Sequence, residues 1–208
     1  MKKLLIPFFV LVISLNISSQ NGRNGPSLWE EIRANSNLNY DNTKPQIIEA
    51  LKKYDSHQYL INRLSKNGQR YLFYTVSEAL KRDLPVELSL IPFIESQFDP
   101  YAQSSTGASG IWQFIPSTAI ENGLKKNWWY DARRDIVAST EAAYNFLVKL
   151  HQEHDDWLIA IAAYNAGPSR VRKEIRKNKA KGLPTDFWSL NLPNCLLYTS
   201  PSPRDTNP

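Results

Sequence analysis

The chain has 208 residues, 42% hydrophobic and 12% aromatic, with six tryptophans and a formal charge of +5. That composition excludes a disordered chain and is long enough to bury a core in one main domain with appendages. No RNA- or DNA-binding fingerprint accompanies the modest charge, so nucleic acid is not an expected partner, and the single Cys195 excludes internal disulfides.

The N-terminal "MKKLLIPFFVLVISLNISSQ" has two lysines, an apolar stretch from Leu4 to Leu15, and then small and polar residues. This is the three-part layout of a secretory signal peptide, here residues 1–20, and its apolar part is short for a membrane-spanning helix. No cysteine follows it to carry a lipid. The expectation is a cleaved, exported protein without a stable membrane anchor. Residues 21–27, "NGRNGPS", read as a linker.

Helical spacing dominates from Leu28 on. An N-terminal helical segment is predicted over 28–80, with apolar repeats in Lys44–Tyr54, His57–Leu64 and Tyr71–Leu80. A main domain follows over 81–194. Pro85 suits a first helical turn, with Glu87 near the positive helix end. Pro92 lies inside the apolar run Leu88–Ile94, where it frees the carbonyl of Leu88 and makes the helix kink or restart. Asp99-Pro100 then forces a break. Residues 101–110 read as a loop. Ile115-Pro116 opens a short helix that Gly123 can close. Asp135 caps a helix to about His151, and Asp156 caps "WLIAIAAYNAG", closed by Gly167. The latter is apolar nearly all round and is the expected central helix. Pro168 starts a basic helix to about Asn178, and "GLPTDFWSLNLP" reads as loop and turn.

Three clusters carry candidate chemistry. Glu95 ends the apolar run. Burial beside apolar surface disfavours the charged form of a carboxyl group, which suits a general acid, although a Glu at a helix end can also simply reach solvent. Asp99 is better placed to stabilise the turn than to act as a second acid. In "GASGIWQF", Gly107 and Gly110 permit close backbone approach, and Gln113 offers donors and an acceptor to an amide group. In "AYNAG", Tyr164 and Asn165 end the most buried helix and need partners or a capping role. The seven Lys and Arg residues of 170–181 read as a solvated face, or as contacts to an acidic polymer. Any single tryptophan more often fills a core than stacks on a sugar ring.

Taken in order, "IESQFDPYAQSSTGASGIWQFIPSTA", "NWWYDARRDIVAST", "AAYNAG" and "GLPTDFWSLNLP" resemble the catalytic domain of bacterial lytic transglycosylases, in particular the membrane-bound murein transglycosylase D branch. The resemblance runs from about Leu28 to Asn194. It implies an all-α, lysozyme-like fold similar to goose-type lysozyme. It implies cleavage, without water, of the β-1,4 bond between N-acetylmuramic acid and N-acetylglucosamine, leaving 1,6-anhydro-muramyl ends. Glu95 would be the single catalytic acid and base, with the muramyl C6 hydroxyl as nucleophile. Ser96 would orient the acid or bond near the substrate. Gln113 would touch an N-acetyl group, and Tyr164 and Asn165 would line the cleft. The implied partner is the glycan strand of peptidoglycan, met by a monomer in the periplasm or cell envelope of a bacterium, with no metal or other cofactor. A hydrolytic muramidase of the same fold and an inactive peptidoglycan-binding remnant are the alternatives.

Two departures stand out. LysM repeats, usual in this branch, are not present in the 208 residues, and after "LNLPN" a family motif of Glu-Thr followed by Tyr-Val gives way to "CLLYTSPSPRDTNP". Cys195 to Ser200 can be encoded by TGTCTCTTATACACATCT and Pro201 to Asp205 by CCGAGCCCACGAGAC, which resemble a transposase-based sequencing adapter. Residues 195–208 are therefore expected to be a non-native tail on a truncated catalytic domain.

Overall fold

The computed structural model describes residues 27–38 and 70–192, with three isolated positions between 43 and 48. The expected signal peptide, the helices of 44–64 apart from two of those positions, and the tail lie outside the described residues. Among the described residues the architecture is helical; only isolated antiparallel bridges form, at Gln103–Ser109, Ser109–Phe114 and Lys126–Asp131.

Helix α1, Leu28–Ala34, starts from a capping box in which Ser27 and Glu30 each satisfy the other's backbone amide. It buries Trp29 and Ile32. Helix α2, 70–80, buries Leu72, Val76 and Ala79, one face at helical spacing. A 3₁₀ turn, Val86–Leu90, is buried at all five residues. Helix α3, Ile91–Ser96, restarts with Pro92 in its first turn, as the missing amide requires.

The end of α3 differs from the expected break at Asp99-Pro100. The helix stops at Ser96 because Gln97 and Phe98 both turn left-handed, at φ 56° and 59°. The Gln97 amide donates to the Phe93 carbonyl at 2.7 Å and that of Phe98 to the Pro92 carbonyl at 3.3 Å. Each such conformation costs about 1–2 kcal/mol in a residue with a Cβ. The turn drives Phe98 into the core, where it is 2% exposed, and that burial offsets roughly 2 kcal/mol. Asp99 follows as a turn residue whose Oδ1 accepts from the Tyr101 amide at 2.8 Å.

Helix α4, Pro116–Glu121, has proline in its first turn and is followed by Gly123 at φ 76°. Helix α5, Ile136–His154, is capped by Asp135, which accepts from the Ala138 amide. It runs three residues beyond the expected His151. Helix α6, Trp157–Ala166, is capped by Asp156, which accepts from the amides of Leu158 at 2.7 Å and Ile159 at 3.1 Å. Its Leu158–Ala163 stretch is buried throughout, so it is the central helix that its all-round apolar character predicts. Helix α7, Pro168–Ala180, carries the basic run on a largely exposed surface. Helix α6 packs between α5 and α7 and touches a last 3₁₀ turn, Phe187–Ser189. Asn178 fastens that turn to α7 by donating to the carbonyls of Pro184 and Ser189, both at 2.8 Å.

Glu87 departs from the helix-end role expected of it. It lies in the first turn of the 3₁₀ segment but is fully buried. One carboxylate oxygen accepts from Ser36 Oγ at 2.6 Å and from the Leu38 amide at 3.0 Å, while the other has no hydrogen-bond partner. The residue clasps the segment after α1 to the element that leads into α3.

Candidate active site

Glu95 occupies the penultimate position of α3 and is half-buried. The short helix is held at both ends: its start is locked in the core by Ile91, Pro92 and Phe93, and its end by the left-handed turn. Ser96 Oγ points back to the Pro92 carbonyl at 3.1 Å and across to the Ile111 carbonyl at 3.0 Å. A hydroxyl has one proton, so the two carbonyls share it. Ser96 thus ties the helix that bears Glu95 to the glycine loop.

That loop has an unusual backbone. Gln113, though not a glycine, sits at φ 52°. Its amide nitrogen donates to the Gly110 carbonyl at 2.8 Å and the Ala102 carbonyl at 3.2 Å. With both amide protons committed inward, the atom Gln113 can offer a ligand is its carbonyl oxygen, an acceptor. Gly110, at φ 81°, is required by space as well as by conformation, since a Cβ there would lie 1.7 Å from the Arg133 carbonyl oxygen. Between the two, Trp112 is wholly buried and its ring N–H donates to Thr140 Oγ1 on α5 at 3.0 Å.

Tyr164, near the end of α6, donates its hydroxyl to the Trp112 carbonyl at 2.8 Å. Its ring meets those of Trp112, Phe114 and Phe146 at 6.5, 6.1 and 5.7 Å. Burial, and secondly the negative charge of Glu95, hold the Tyr164 phenol well above its ordinary value. The Glu95 carboxylate therefore lies within electrostatic reach of Tyr164, and the phenol stays a hydrogen-bond donor at neutral pH. The neighbouring Asn165 reaches the Ile161 carbonyl only at 3.5 Å, the limit of a hydrogen bond, so its amide is weakly held.

The structure thus gathers Glu95, Ser96, Gln113 and Tyr164 around the backbone of 111–113, with Asn165 beside Tyr164 in sequence. It also assigns a part to Arg133, which sequence reasoning passed over. This guanidinium, 4% exposed, pairs with Asp131 through Nε–Oδ1 at 2.9 Å and Nη2–Oδ2 at 2.7 Å. Its Nη1 donates to the carbonyls of Gly107 at 2.7 Å and Phe114 at 3.1 Å, on either side of Gln113. The Arg133 guanidinium holds the Asp131 carboxyl below its ordinary range. The only local signal was an Asp and an Arg two residues apart, which is common on surfaces. Among the described residues no group of His, Cys, Asp and Glu side chains gathers to hold a metal ion.

The helical architecture of the described residues agrees with the family comparison. Residues 75–186 match the transglycosylase SLT domain, and the chain belongs to that family. All five candidate residues fall inside the match. The chain is 47% identical over 149 residues to the membrane-bound lytic murein transglycosylase D of Escherichia coli (strain K12), covering 71% of this chain and 33% of that protein. A protein of Alteromonas sp. (strain M-1), named for tributyltin chloride resistance, is 45% identical over 124 residues, covering 59% and 60%. The membrane-bound lytic murein transglycosylase F of Desulfosudis oleivorans (strain DSM 6200 / JCM 39069 / Hxd3) is 32% identical over 108 residues, covering 49% and 22%. The chain thus spans less than two thirds of the length of each of these relatives.

Proposed function

We propose that this domain is a peptidoglycan lytic transglycosylase with Glu95 as its acid and base. The observation that carries the reading is the setting of one carboxylate. Glu95 lies at the end of a short helix that Ser96 ties to the glycine loop, within electrostatic reach of the Tyr164 phenol. The nearest acid in sequence, Asp99, is occupied in its own turn.

One carboxylate is enough if the substrate brings the nucleophile. In the first step the Glu95 carboxyl gives its proton to the glycosidic oxygen as the C1–O bond breaks. In the second the resulting carboxylate takes the proton of the muramyl C6 hydroxyl as O6 bonds to C1. The proton borrowed from Glu95 is returned and no water is consumed. An ordinary glycosidase needs a second carboxyl group for its nucleophile or its water. An intramolecular hydroxyl replaces it at high effective concentration.

Within this reading Ser96 positions the acid helix. The side-chain oxygen of Gln113 accepts from the N–H of an N-acetyl group. Tyr164 supports the loop, and the loosely held Asn165 amide faces the sugar. Export through residues 1–20 and action in the bacterial envelope, as a monomer, belong to the same proposal. Among the described residues no helix is long and apolar enough to cross a membrane.

The test is mass spectrometry of products from purified peptidoglycan. Anhydro-muramyl ends support the reading, and reducing ends would assign the chain to the hydrolytic muramidases. Glu95→Gln should lower product formation by at least about 10²-fold with folding retained. Retained turnover in that variant would show that another group is the acid.

A further inference from the structure

Of the six tryptophans, Trp29 and Trp112 are buried, whereas Trp128 and Trp129 are 85% and 89% exposed. The two exposed indoles are neighbours with ring centroids 6.0 Å apart and planes at 86°. They meet edge to face yet stay largely in water, an aromatic pair on the surface rather than in the core.

The loop that carries them is firmly built. The Asn127 amide donates to the Tyr130 carbonyl at 2.8 Å, and Asn127 Oδ1 accepts from the amides of Trp129 and Tyr130 at 2.9 and 2.8 Å. The Ala132 amide closes the base on the Lys125 carbonyl at 2.9 Å, and the Tyr130 hydroxyl donates to Asp135 at 2.9 Å. Arg133, just beyond, joins this base to the loop that holds Gln113. The backbone that carries the indoles is therefore tied to the loop that holds Gln113.

At the base of this loop, where Lys125, Tyr130 and Ala132 lie, is a surface groove of about 350 Å³ that is also bordered by Asn122, Glu141 and Asn145; the two indoles do not line it. None of the five candidate active-site residues lines it. Its wall on α5 is the face of residues 138, 141, 142 and 145. Thr140, which holds the Trp112 ring, lies about 150° round the helix from the centre of that face. The groove thus opens on another side of α5 from the glycine loop.

We infer that Trp128 and Trp129, with this groove, form an auxiliary site that holds a peptidoglycan glycan strand away from the bond being cut. The inference rests on peptidoglycan being the substrate. An amino sugar presents an apolar C–H face to an aromatic plane and hydroxyl and acetamido groups to its sides. The indoles supply two planes, and Asn122, Lys125, Glu141 and Asn145 supply both donors and acceptors. A lipid surface fits less well, because inserting the rings would strip water from Glu141 and both asparagines without giving them partners.

The experiment is co-sedimentation of the 208-residue chain with insoluble peptidoglycan sacculi, beside turnover of soluble glycan fragments too short to leave the cleft. The double variant Trp128→Ala/Trp129→Ala should bind sacculi about tenfold more weakly, the loss of two planes each worth roughly an aromatic pair. Trp128→Tyr/Trp129→Tyr should recover most of the binding, and short-fragment turnover should be unchanged in both. Sacculus binding by the alanine variant equal to wild type would overturn the inference. So would a parallel fall in short-fragment turnover, or a loss confined to binding of anionic phospholipid vesicles. Product analysis tests the reaction separately: a chain that makes no anhydro ends but sediments through the two rings keeps the site and loses the reaction.

Discussion

Arg133→Ala tests whether a buried cation holds the glycine loop in place. The side chain makes two contacts to Asp131 and two to backbone carbonyls. Removing it does not strand all four acceptors equally. The Phe114 carbonyl still accepts from the Ser109 amide at 3.1 Å, and Asp131, 12% exposed at its side chain, still has Lys126 at 3.8 Å. Among the described residues the Gly107 carbonyl keeps no such second partner. An orphaned carbonyl costs about 1 kcal/mol, and the partly sheltered carboxylate about 2 kcal/mol after discount for solvent and Lys126. The expected loss is therefore about 3 kcal/mol, or roughly 6–12 °C in the midpoint of thermal unfolding followed by circular dichroism. Asp131→Asn/Arg133→Met, which leaves no unpaired charge, should melt higher than Arg133→Ala alone. An Arg133→Ala protein within about 1 kcal/mol of wild type would refute the argument, as would a double variant no better than the single one.

Gly110→Ala forces a Cβ onto the Arg133 carbonyl at a position already left-handed; it should cost at least about 3 kcal/mol and register as a lowered denaturation midpoint. Ser96→Ala removes the bond between the acid's helix and Ile111; about 1 kcal/mol of stability and a 10- to 100-fold fall in kcat with little change in KM are expected in steady-state assays. The pH dependence follows from Asp131 and Asp135, whose carboxyls are held below the ordinary range, by Arg133 in one case and by the Ala138 amide in the other. A depressed folded-state value gives stability that is complete above the unfolded value of about 3.9 and is lost as pH falls through the folded one. Thermal midpoints should thus decline below about pH 4, and Asp131→Asn should flatten that decline while lowering the midpoint at neutral pH.

What the sequence made legible was local. Asp135 and Asp156 announce their helices because a cap needs only the next few amides, and Pro92, Pro116 and Pro168 announce starts because the ring is tolerated there. The apolar circumference of α6 announced its burial. Glu87 and Arg133 were hidden because their partners are distant: one oxygen of Glu87 is met by Ser36 and Leu38, and Arg133 reaches Gly107 and Phe114. Nothing in the residues beside them says that a charge will be buried. The left-handed turns at Gln97, Phe98 and Gln113 were equally hidden, since local rules assign that conformation to glycine. The candidate residues were legible through the family resemblance and not through spacing, which left each with an ordinary reading.

The hidden features converge on one place. Two consecutive carbonyls, of Ile111 and Trp112, each accept a hydroxyl from a different part of the chain, Ser96 after the acid and Tyr164 from the central helix. Directly after them Gln113 stands at positive φ, and its side chain folds back on Gly110 and Ala102. The left-handed backbone at Gln113 thus lies where three segments meet, and that at Gln97 and Phe98 ends the helix that bears Glu95. A glycine at either turn would relieve the cost and loosen the position. If Glu95 is the one acid, as proposed, non-glycine residues in left-handed backbone close to it suit a site that depends on placement more than on a second charge.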